Sequence, residues 1–133
     1  MSQLTVSVIT CTRNSEPWLA ASIDSVLRQH SVAIDYIFVD GGSTDGTLQR
    51  IRALQRPYKL IENVQGGISA AMNAGIEIAR GEIIAHLHSD DFYLNDDVLY
   101  TVVQTFQRQH CQWLYGRTLR CIDGQLRPEG FSA

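Results

Sequence analysis

The feature that most constrains the fold is a regular alternation of short apolar segments with longer amphipathic ones. Residues 4–10 and 33–40 are apolar and rich in β-branched side chains, and therefore predict strands. Between them, residues 16–30 carry apolar side chains that can share one face of a helix, with Pro17 suited to its first turn. This strand–helix–strand order indicates a parallel sheet.

The alternation continues along the rest of the chain and defines the fold class. The remaining predicted elements are helices over 47–56, 67–79 and 95–110, strands over 58–62, 81–88 and 111–116, and a hairpin over 118–127. The order predicts an α/β fold, a doubly wound, mostly parallel sheet with helices on both faces. The strand at 81–88 has an apolar middle, typical of a strand covered on both faces. Because 133 residues show no linker or repeat, we expect one domain over residues 1–133.

Composition and charge exclude several classes of function. The net charge is −3 and no run of five Lys or Arg residues occurs, so no nucleic-acid partner is expected. No apolar run approaches the roughly 18 residues of a transmembrane segment, and the N-terminus does not resemble a signal peptide. Cys11, Cys111 and Cys121 lack CxxC spacing and predict free thiols in a reducing cytoplasm. The predicted location is the cytoplasm, with the inner face of the membrane reached only through partners.

Three polar segments follow predicted strands, where ligands of doubly wound sheets bind. They cover residues 10–14, 40–46 and 88–91. Asp40 ends the second predicted strand, so its carboxylate can face the crevice, and Ser43 or Thr44 can cap the next helix. A well-made β-to-α turn explains the same residues equally well. Neither a GxGxxG nor a GxxxxGK[ST] motif is present.

A pair of glycines introduces the helix predicted at residues 67–79. Gly66 and Gly67 precede it, and the free N–H groups of its first turn can face a phosphate or a sugar. Met72 is expected to pack in the core. Asn73 can face either the site or the solvent.

The segment IAHLHSDDFY, residues 84–93, leaves three interpretations open. Asp90 and Asp91 are adjacent carboxylates that repel one another, and a divalent cation such as Mg²⁺ or Mn²⁺ can hold them together. Alternatively, His86, His88 and Asp90 resemble the start of the zinc motif of metallo-β-lactamase-fold hydrolases. In the third interpretation the aspartates only cap the next helix and the histidines fill space.

Several segments together resemble the family 2 glycosyltransferases, which are inverting enzymes of the GT-A fold. The likeness includes the branch that makes bacterial surface polysaccharides, and it extends from about Val6 to Gly116. The segments that carry it are SVITCTRN, SIDSVLRQ, YIFVDGGSTDGT, GGISAAMNAGIEIARGEIIAHLHSDD and WLYG. His88 departs from the family pattern, which usually has Asp or Asn at this position.

The resemblance implies roles for individual residues. It assigns nucleotide-sugar binding to Thr10, Thr12, Asn14, Asp40, Ser43, Gly67, Ile68 and Asp90. Within this set, Asp40 is expected to bind the base, Gly67 and Ile68 to line the sugar diphosphate, and Asp90 to contact ribose or the donor sugar. Asp91 is expected to bind the Mn²⁺ or Mg²⁺ that bridges the diphosphate.

The implied function is metal-dependent transfer of a sugar from a UDP- or GDP-linked donor to a polysaccharide or glycolipid acceptor. The general base is expected beyond residue 133, in an acceptor half that the chain lacks, so a non-catalytic nucleotide-sugar-binding or assembly module is the alternative. The expected partners are a nucleoside-diphosphate sugar and a saccharide or lipid-linked acceptor. Apolar surface left uncovered predicts that the chain also self-associates.

Overall fold

Four of the apolar segments form one parallel sheet in the computed structural model, which describes residues 4–128. The strands are β1 (Thr5–Thr12), β2 (Ala33–Asp40), β3 (Lys59–Ile61), β4 (Ile83–His86), β5 (Leu119–Ile122) and β6 (Gln125–Pro128). The helices are α1 (Glu16–Leu27), α2 (Thr47–Arg52), α3 (Gly67–Ile78) and α4 (Val98–Gln109). The predicted α/β class is confirmed.

The sheet has the order β3-β2-β1-β4, and all its neighbouring strands are parallel. β1 pairs with β2 from Thr5 opposite Ala33 to Thr12 opposite Asp40. On its other side β1 pairs with β4. The chain therefore builds outward from β1 in one direction and then returns to add β4 on the opposite side. This reversal places a topological switch point between the carboxyl ends of β1 and β4, where such sheets bind ligands.

Helices cover both faces of the sheet, as predicted. One face packs against α1, α2 and α4 around a core that includes Val6, Val8, Leu19, Ile23, Val26, Tyr36, Phe38, Ile51, Leu99 and Val103. The other face packs against α3, around Ile9, Ile37, Val39 and Ala71. Side chains that alternate along β1 thus enter two separate apolar clusters, which accounts for its nearly continuous apolar sequence.

The prediction that the fourth strand is covered on both faces is wrong. α3 packs on β1 and β2, and it leaves the same face of β4 open. Ile84 is consequently 41% exposed, whereas Ile83 on the opposite face is buried. An apolar run shows that both faces can be buried, but only the reach of the neighbouring helix decides whether they are.

Gly75 is the point at which α3 approaches the sheet most tightly. A Cβ atom at this position would lie 2.6 Å from Cγ2 of Ile9 and 3.3 Å from Cγ2 of Val39. We expect Gly75→Ala to lower the free energy of unfolding by about 1–2 kcal/mol, because overpacking outweighs the gain in helix propensity. Urea unfolding measures the change. Gly116→Ala is the control, since no atom lies within 4 Å of the added group; an unaltered Gly75→Ala protein would contradict the tight contact.

Several predicted element ends and one predicted strand differ from the structure. α1 ends at Leu27 and α2 at Arg52, before the predicted ends, and α4 begins at Val98 instead of near residue 95. The segment 111–116, predicted as a strand, has no strand pairing in the described part of the chain. Its β-propensity is real, but strands form only where a partner lies alongside. The predicted hairpin is confirmed as antiparallel β5 and β6.

Two aromatic rings of the 111–116 segment lie at the surface. Trp113 and Tyr115 are 73% and 82% exposed, and their rings stack at 5.9 Å. Across the described residues, no helix has the length and apolar character needed to cross a membrane.

Candidate functional site

Three loops meet at the carboxyl edge of the sheet, as the position of the polar segments predicts. They follow β1 (residues 13–15), β2 (residues 41–46) and β4 (residues 87–97). Hydrogen bonds of their side chains, with backbone groups and with one another, join them, so that the three loops form one connected surface.

Asp40 organises the turn after β2. The residue is fully buried, and its Oδ1 accepts hydrogen bonds from the hydroxyls of Thr12 (2.7 Å) and Ser43 (2.5 Å). Its Oδ2 accepts from the backbone N–H groups of Ser43 (2.8 Å) and Gly42 (3.0 Å). Burial alone would raise the pKa of Asp40, but these hydrogen bonds outweigh it and hold the pKa below its ordinary value. The carboxylate is therefore ionised at neutral pH and fully engaged within the protein.

Asn14 links the loop after β1 to the same turn. It adopts a left-handed backbone conformation (φ 49°), which asparagine tolerates better than most residues. Its N–H donates to the hydroxyl of Ser43 (2.9 Å), and its Oδ1 accepts from the backbone N–H groups of Thr44 (2.8 Å) and Asp45 (3.3 Å). Asn14 thus fixes the spacing between the two loops.

The predicted capping of α2 by Ser43 or Thr44 is wrong. The helix begins at Thr47, and Oδ1 of Asp45 accepts from the N–H and the hydroxyl of that residue. Oε2 of Glu16, at the start of α1, accepts from the N–H of Gly46 (2.7 Å). A carboxylate from another helix therefore serves this helix start, which frees Ser43 to bind Asp40.

A cavity of about 290 Å³ lies beside this network, between the ends of β1 and β2 and the start of α3. Its lining comprises Cys11, Thr12, Arg13, Gly41, Val64, Gln65, Gly66, Gly67, Ile68 and Ala71. The guanidinium-bearing side chain of Arg13 supplies positive charge to this lining. Burial raises the pKa of the Cys11 thiol, which keeps it neutral.

The first turn of α3 faces the cavity without a side-chain cap. Gly66 and Gly67 both have positive φ (108° and 82°), a conformation that favours glycine. No side chain caps the helix, and its first turn holds no acidic residue. The backbone N–H groups of this turn are thus available to a negatively charged ligand.

The loop after β4 carries the two adjacent aspartates. β4 ends at His86, and the N–H of Asp91 donates to the carbonyl of His88 (3.0 Å) in a turn that exposes both carboxylates. Residues of α1 and its N-cap hold the loop on either side of them. The hydroxyls of Ser15 and Ser89 lie 2.8 Å apart.

Contacts with α1 and with Gln29, which follows α1, fix the end of this loop. The N–H of Tyr93 donates to Oγ of Ser25 (3.0 Å). Nε2 of Gln29 donates to the carbonyl of Asn95 (2.6 Å), and its Oε1 accepts from the N–H of Leu99 (2.9 Å). The loop is therefore tied to α1 at both ends.

The donor set around the aspartates suits a hard cation and does not suit zinc. Among residues 4–128, no three His, Cys, Asp or Glu side chains are grouped so that they could hold a metal, and this includes the set His86, His88 and Asp90. The zinc interpretation therefore has no support in the geometry. Burial, followed by the nearby charge of His88, lowers the pKa of His86. Carboxylate oxygens at the exposed turn fit Mg²⁺ or Mn²⁺ if a ligand completes the coordination shell.

The structure brings the predicted binding residues together to different degrees. Thr12, Gly67 and Ile68 line the cavity, whereas Asp90 belongs to the separate loop after β4. Thr10 is fully buried and is not among the residues that line the cavity. Asn14, Asp40 and Ser43 form the supporting network beside the cavity.

Several residues that contribute to the site are not assigned from the sequence. Arg13 lines the cavity, Glu16 binds the start of α2, and Ser15 and Ser89 join two loops. Arg13 and Ser89 lie within the polar segments 10–14 and 88–91, which was the signal available for them.

Comparison with known proteins identifies the family. The sequence model of the family described as Glycosyl transferase family 2 matches residues 7–129, nearly the whole chain. The chain therefore belongs to that family. It is 30% identical over 139 aligned positions to the chondroitin synthase of Pasteurella multocida strain Pm70, covering 96% of this chain. It is 31% identical over 120 positions to the glycosyltransferase GlyG of Streptococcus pneumoniae serotype 4, covering 87% of this chain.

A solved structure shares the fold. The mannosyltransferase PcManGT of Pyrobaculum calidifontis, in complex with GDP-Man and Mn²⁺, superposes with a TM-score of 0.73 at 25% identity over 80% of this chain. The chain spans 14% of the chondroitin synthase, 39% of GlyG and 33% of the mannosyltransferase. The GT-A fold expected from the sequence is confirmed.

Proposed function

We propose that the chain binds the donor of a metal-dependent sugar transfer, a UDP- or GDP-linked sugar, for delivery to a saccharide or lipid-linked acceptor. The observation that carries the proposal is the cavity at the uncapped start of α3, which adjoins the Asp40 network and opens at the ligand-binding edge of the sheet. The family membership supports sugar transfer.

The cavity has a size suited to part of a nucleotide sugar. Ligand pockets commonly measure about 300–1,000 Å³, so 290 Å³ can enclose a nucleoside while the sugar extends outward. We assign contact with the nucleoside to Thr12 and Gly41, which line the cavity. Asp40 fixes this region through its hydrogen bonds to Thr12 and to Gly42, next to Gly41. Asp40 thereby shapes base recognition even though its own oxygens are already occupied.

The diphosphate is assigned to the start of α3. Uncapped N–H groups near Gly67 and Ile68 favour an anion, and Arg13, which also lines the cavity, carries a positive charge. These groups can bind the donor and stabilise negative charge on the leaving diphosphate as the bond to the anomeric carbon breaks.

Asp91 is assigned to the cation, and Asp90 is assigned to ribose or the donor sugar. A bound Mn²⁺ or Mg²⁺ supplies charge neutralisation for the diphosphate. Asp91 would hold the cation through its carboxylate, and Asp90 would orient ribose or the sugar. The complex of PcManGT with GDP-Man and Mn²⁺ supports both the donor class and the metal.

The acceptor class is proposed from the relatives. The 30% identity to a protein named chondroitin synthase supports a growing polysaccharide, although a lipid-linked saccharide presents the same attacking hydroxyl group. In this proposal the described residues hold the donor. Removal of the acceptor's proton is not assigned to any of them.

Calorimetric titration with UDP and with GDP tests the proposal. We expect one of the two to bind, with an affinity at least about tenfold higher in the presence of Mn²⁺ than in EDTA, because the cation offsets repulsion between diphosphate and carboxylates. Uridine and guanosine serve as controls that lack the diphosphate and should show no metal effect. If neither diphosphate bound under either condition, the proposed function would be wrong.

A further inference from the structure

The short loop after β1 contacts both neighbouring loops through consecutive residues. Asn14 binds the turn after β2 through Ser43, and Ser15 binds the loop after β4 through Ser89. The second of these contacts crosses the switch point between β1 and β4, and its partners are 74 positions apart in the sequence. The cavity side and the aspartate side of the site therefore meet at two serine hydroxyls.

The segment that contains the two aspartates is held by a hydrogen bond on each side, and we call these two contacts its anchors. Ser89 is anchored by Ser15 immediately before Asp90, and Tyr93 is anchored by Ser25 two residues after Asp91. Between these anchors, the N–H of Asp91 donates a hydrogen bond to the carbonyl of His88 in a local backbone turn. The position of the carboxylates relative to the cavity therefore depends on the contacts of the loop with the N-terminal end of α1 and with its body.

Ser15 has the hydrogen-bonding capacity for this role. Its Oγ accepts from the N–H of Arg13 (3.2 Å), and its own hydroxyl hydrogen is then available to Oγ of Ser89. Ser15 is only 3% exposed, so water competes little for the bond. Because Arg13 lines the cavity, a single chain of hydrogen bonds runs from the cavity wall to the aspartate loop.

We propose that Ser89 is a positioning residue that couples Asp90 and Asp91, the second of which is the proposed metal ligand, to the nucleotide cavity through its bond to Ser15. This inference rests on the proposed function and deepens it. It states that the Ser15–Ser89 bond governs the metal-dependent part of donor binding and has only a small effect, through Asp90, on the metal-independent part.

The experiment uses Ser89→Ala, which removes the bond from one side, and Ser15→Ala, which removes it from the other. UDP and GDP are titrated with Mn²⁺ and with EDTA by calorimetry. We expect Ser89→Ala to weaken binding in Mn²⁺ by about three- to tenfold, the effect of one hydrogen bond, and to leave binding in EDTA within about twofold. Ser89→Thr retains the hydroxyl and should restore the wild-type metal effect.

Controls separate positioning from folding. Thr105→Ala removes a hydroxyl that donates to the carbonyl of Thr101 at the same 2.8 Å, within α4, and should change neither titration. Urea unfolding of each variant reports its stability independently of ligand.

Each result decides the inference. If Ser89→Ala weakened nucleotide binding equally in Mn²⁺ and in EDTA, Ser89 would have a general structural role and the inference would be wrong. The inference would also be wrong if Ser89→Ala bound nucleotide in Mn²⁺ as tightly as the wild type. A wild-type protein that binds nucleotide without any Mn²⁺ effect would remove the metal from the proposed function and overturn the coupling with it. The wild-type titration alone distinguishes that failure from the failure of Ser89.

Discussion

Asp40→Ala is expected to lower the free energy of unfolding by about 3 kcal/mol or more, the largest stability loss we predict for the site. The substitution leaves the hydroxyls of Thr12 and Ser43 and two backbone N–H groups without their acceptor in a buried place. Hydrogen bonds to a charged group each contribute about 1.5–3 kcal/mol, and their loss is only partly additive. Urea unfolding at pH 7 measures the effect.

Asp40→Asn is the matched control. Its remaining oxygen can keep the two backbone N–H groups, and the two hydroxyls can rotate to accept from the new amide. We expect a loss of about half that of Asp40→Ala. Equal losses for the two variants would show that the negative charge, and not the pattern of acceptors, stabilises the turn.

The same carboxylate makes stability depend on pH. The pKa of Asp40 is lower in the folded protein than its ordinary value, so its contribution is fully present above the unfolded pKa of about 4 and is lost as the pH falls towards the folded pKa. Other carboxyls with lowered pKa, such as Asp35, add to the acid loss. Asp40→Asn should therefore lose less stability between pH 7 and pH 3 than the wild type does.

Asp91→Ala is expected to abolish the enhancement of nucleotide binding by Mn²⁺, a loss of about tenfold or more. The physical reason is the removal of the carboxylate that we propose holds the hard cation. Binding in EDTA should stay within about twofold of wild type. Calorimetric titration of UDP and GDP under both conditions measures the difference.

Two further variants sharpen this prediction. Asp24→Ala removes an exposed aspartate on the surface of α1 and controls for the change in net charge. Asp90→Ala should weaken binding in EDTA as well, since Asp90 is assigned to ribose or the donor sugar. An Asp91→Ala protein that kept the full Mn²⁺ effect would show that the cation binds elsewhere.

The sequence predicts the core of the fold well because burial leaves a direct pattern. β1 and β2 lie almost where apolar, β-branched runs predict them, since both strands are covered by helices on two faces. The sequence predicts where α2 begins but not how that helix start is capped, because a carboxylate from the start of α1 binds the N–H of Gly46. Contacts of this kind depend on the tertiary structure, and no local propensity encodes them.

The sequence likewise predicts some features of the candidate site and not others. Because they follow strands, Asp40 and Asp91 are expected at the carboxyl edge of the sheet, and two glycines indicate the start of α3. The sequence does not reveal that the Asp40 carboxylate accepts hydrogen bonds from within the protein. Nor does it reveal that Ser15 forms a hydrogen bond with Ser89, 74 positions away. Both facts depend on which strands become neighbours, and strand order is not a local property.

Amide chemical-shift mapping with nucleotide and then Mn²⁺ tests whether the nucleotide binds in the cavity and the cation at the aspartates. We expect UDP or GDP alone to shift the amide signals of Thr12, Gly41 and Gly67 at the cavity. We also expect Mn²⁺ added to that complex to broaden the signals of Asp90 and Asp91. Shifts confined to other surfaces, or broadening that spares residues 88–92 while it affects the exposed Asp96 and Asp97, would contradict the account.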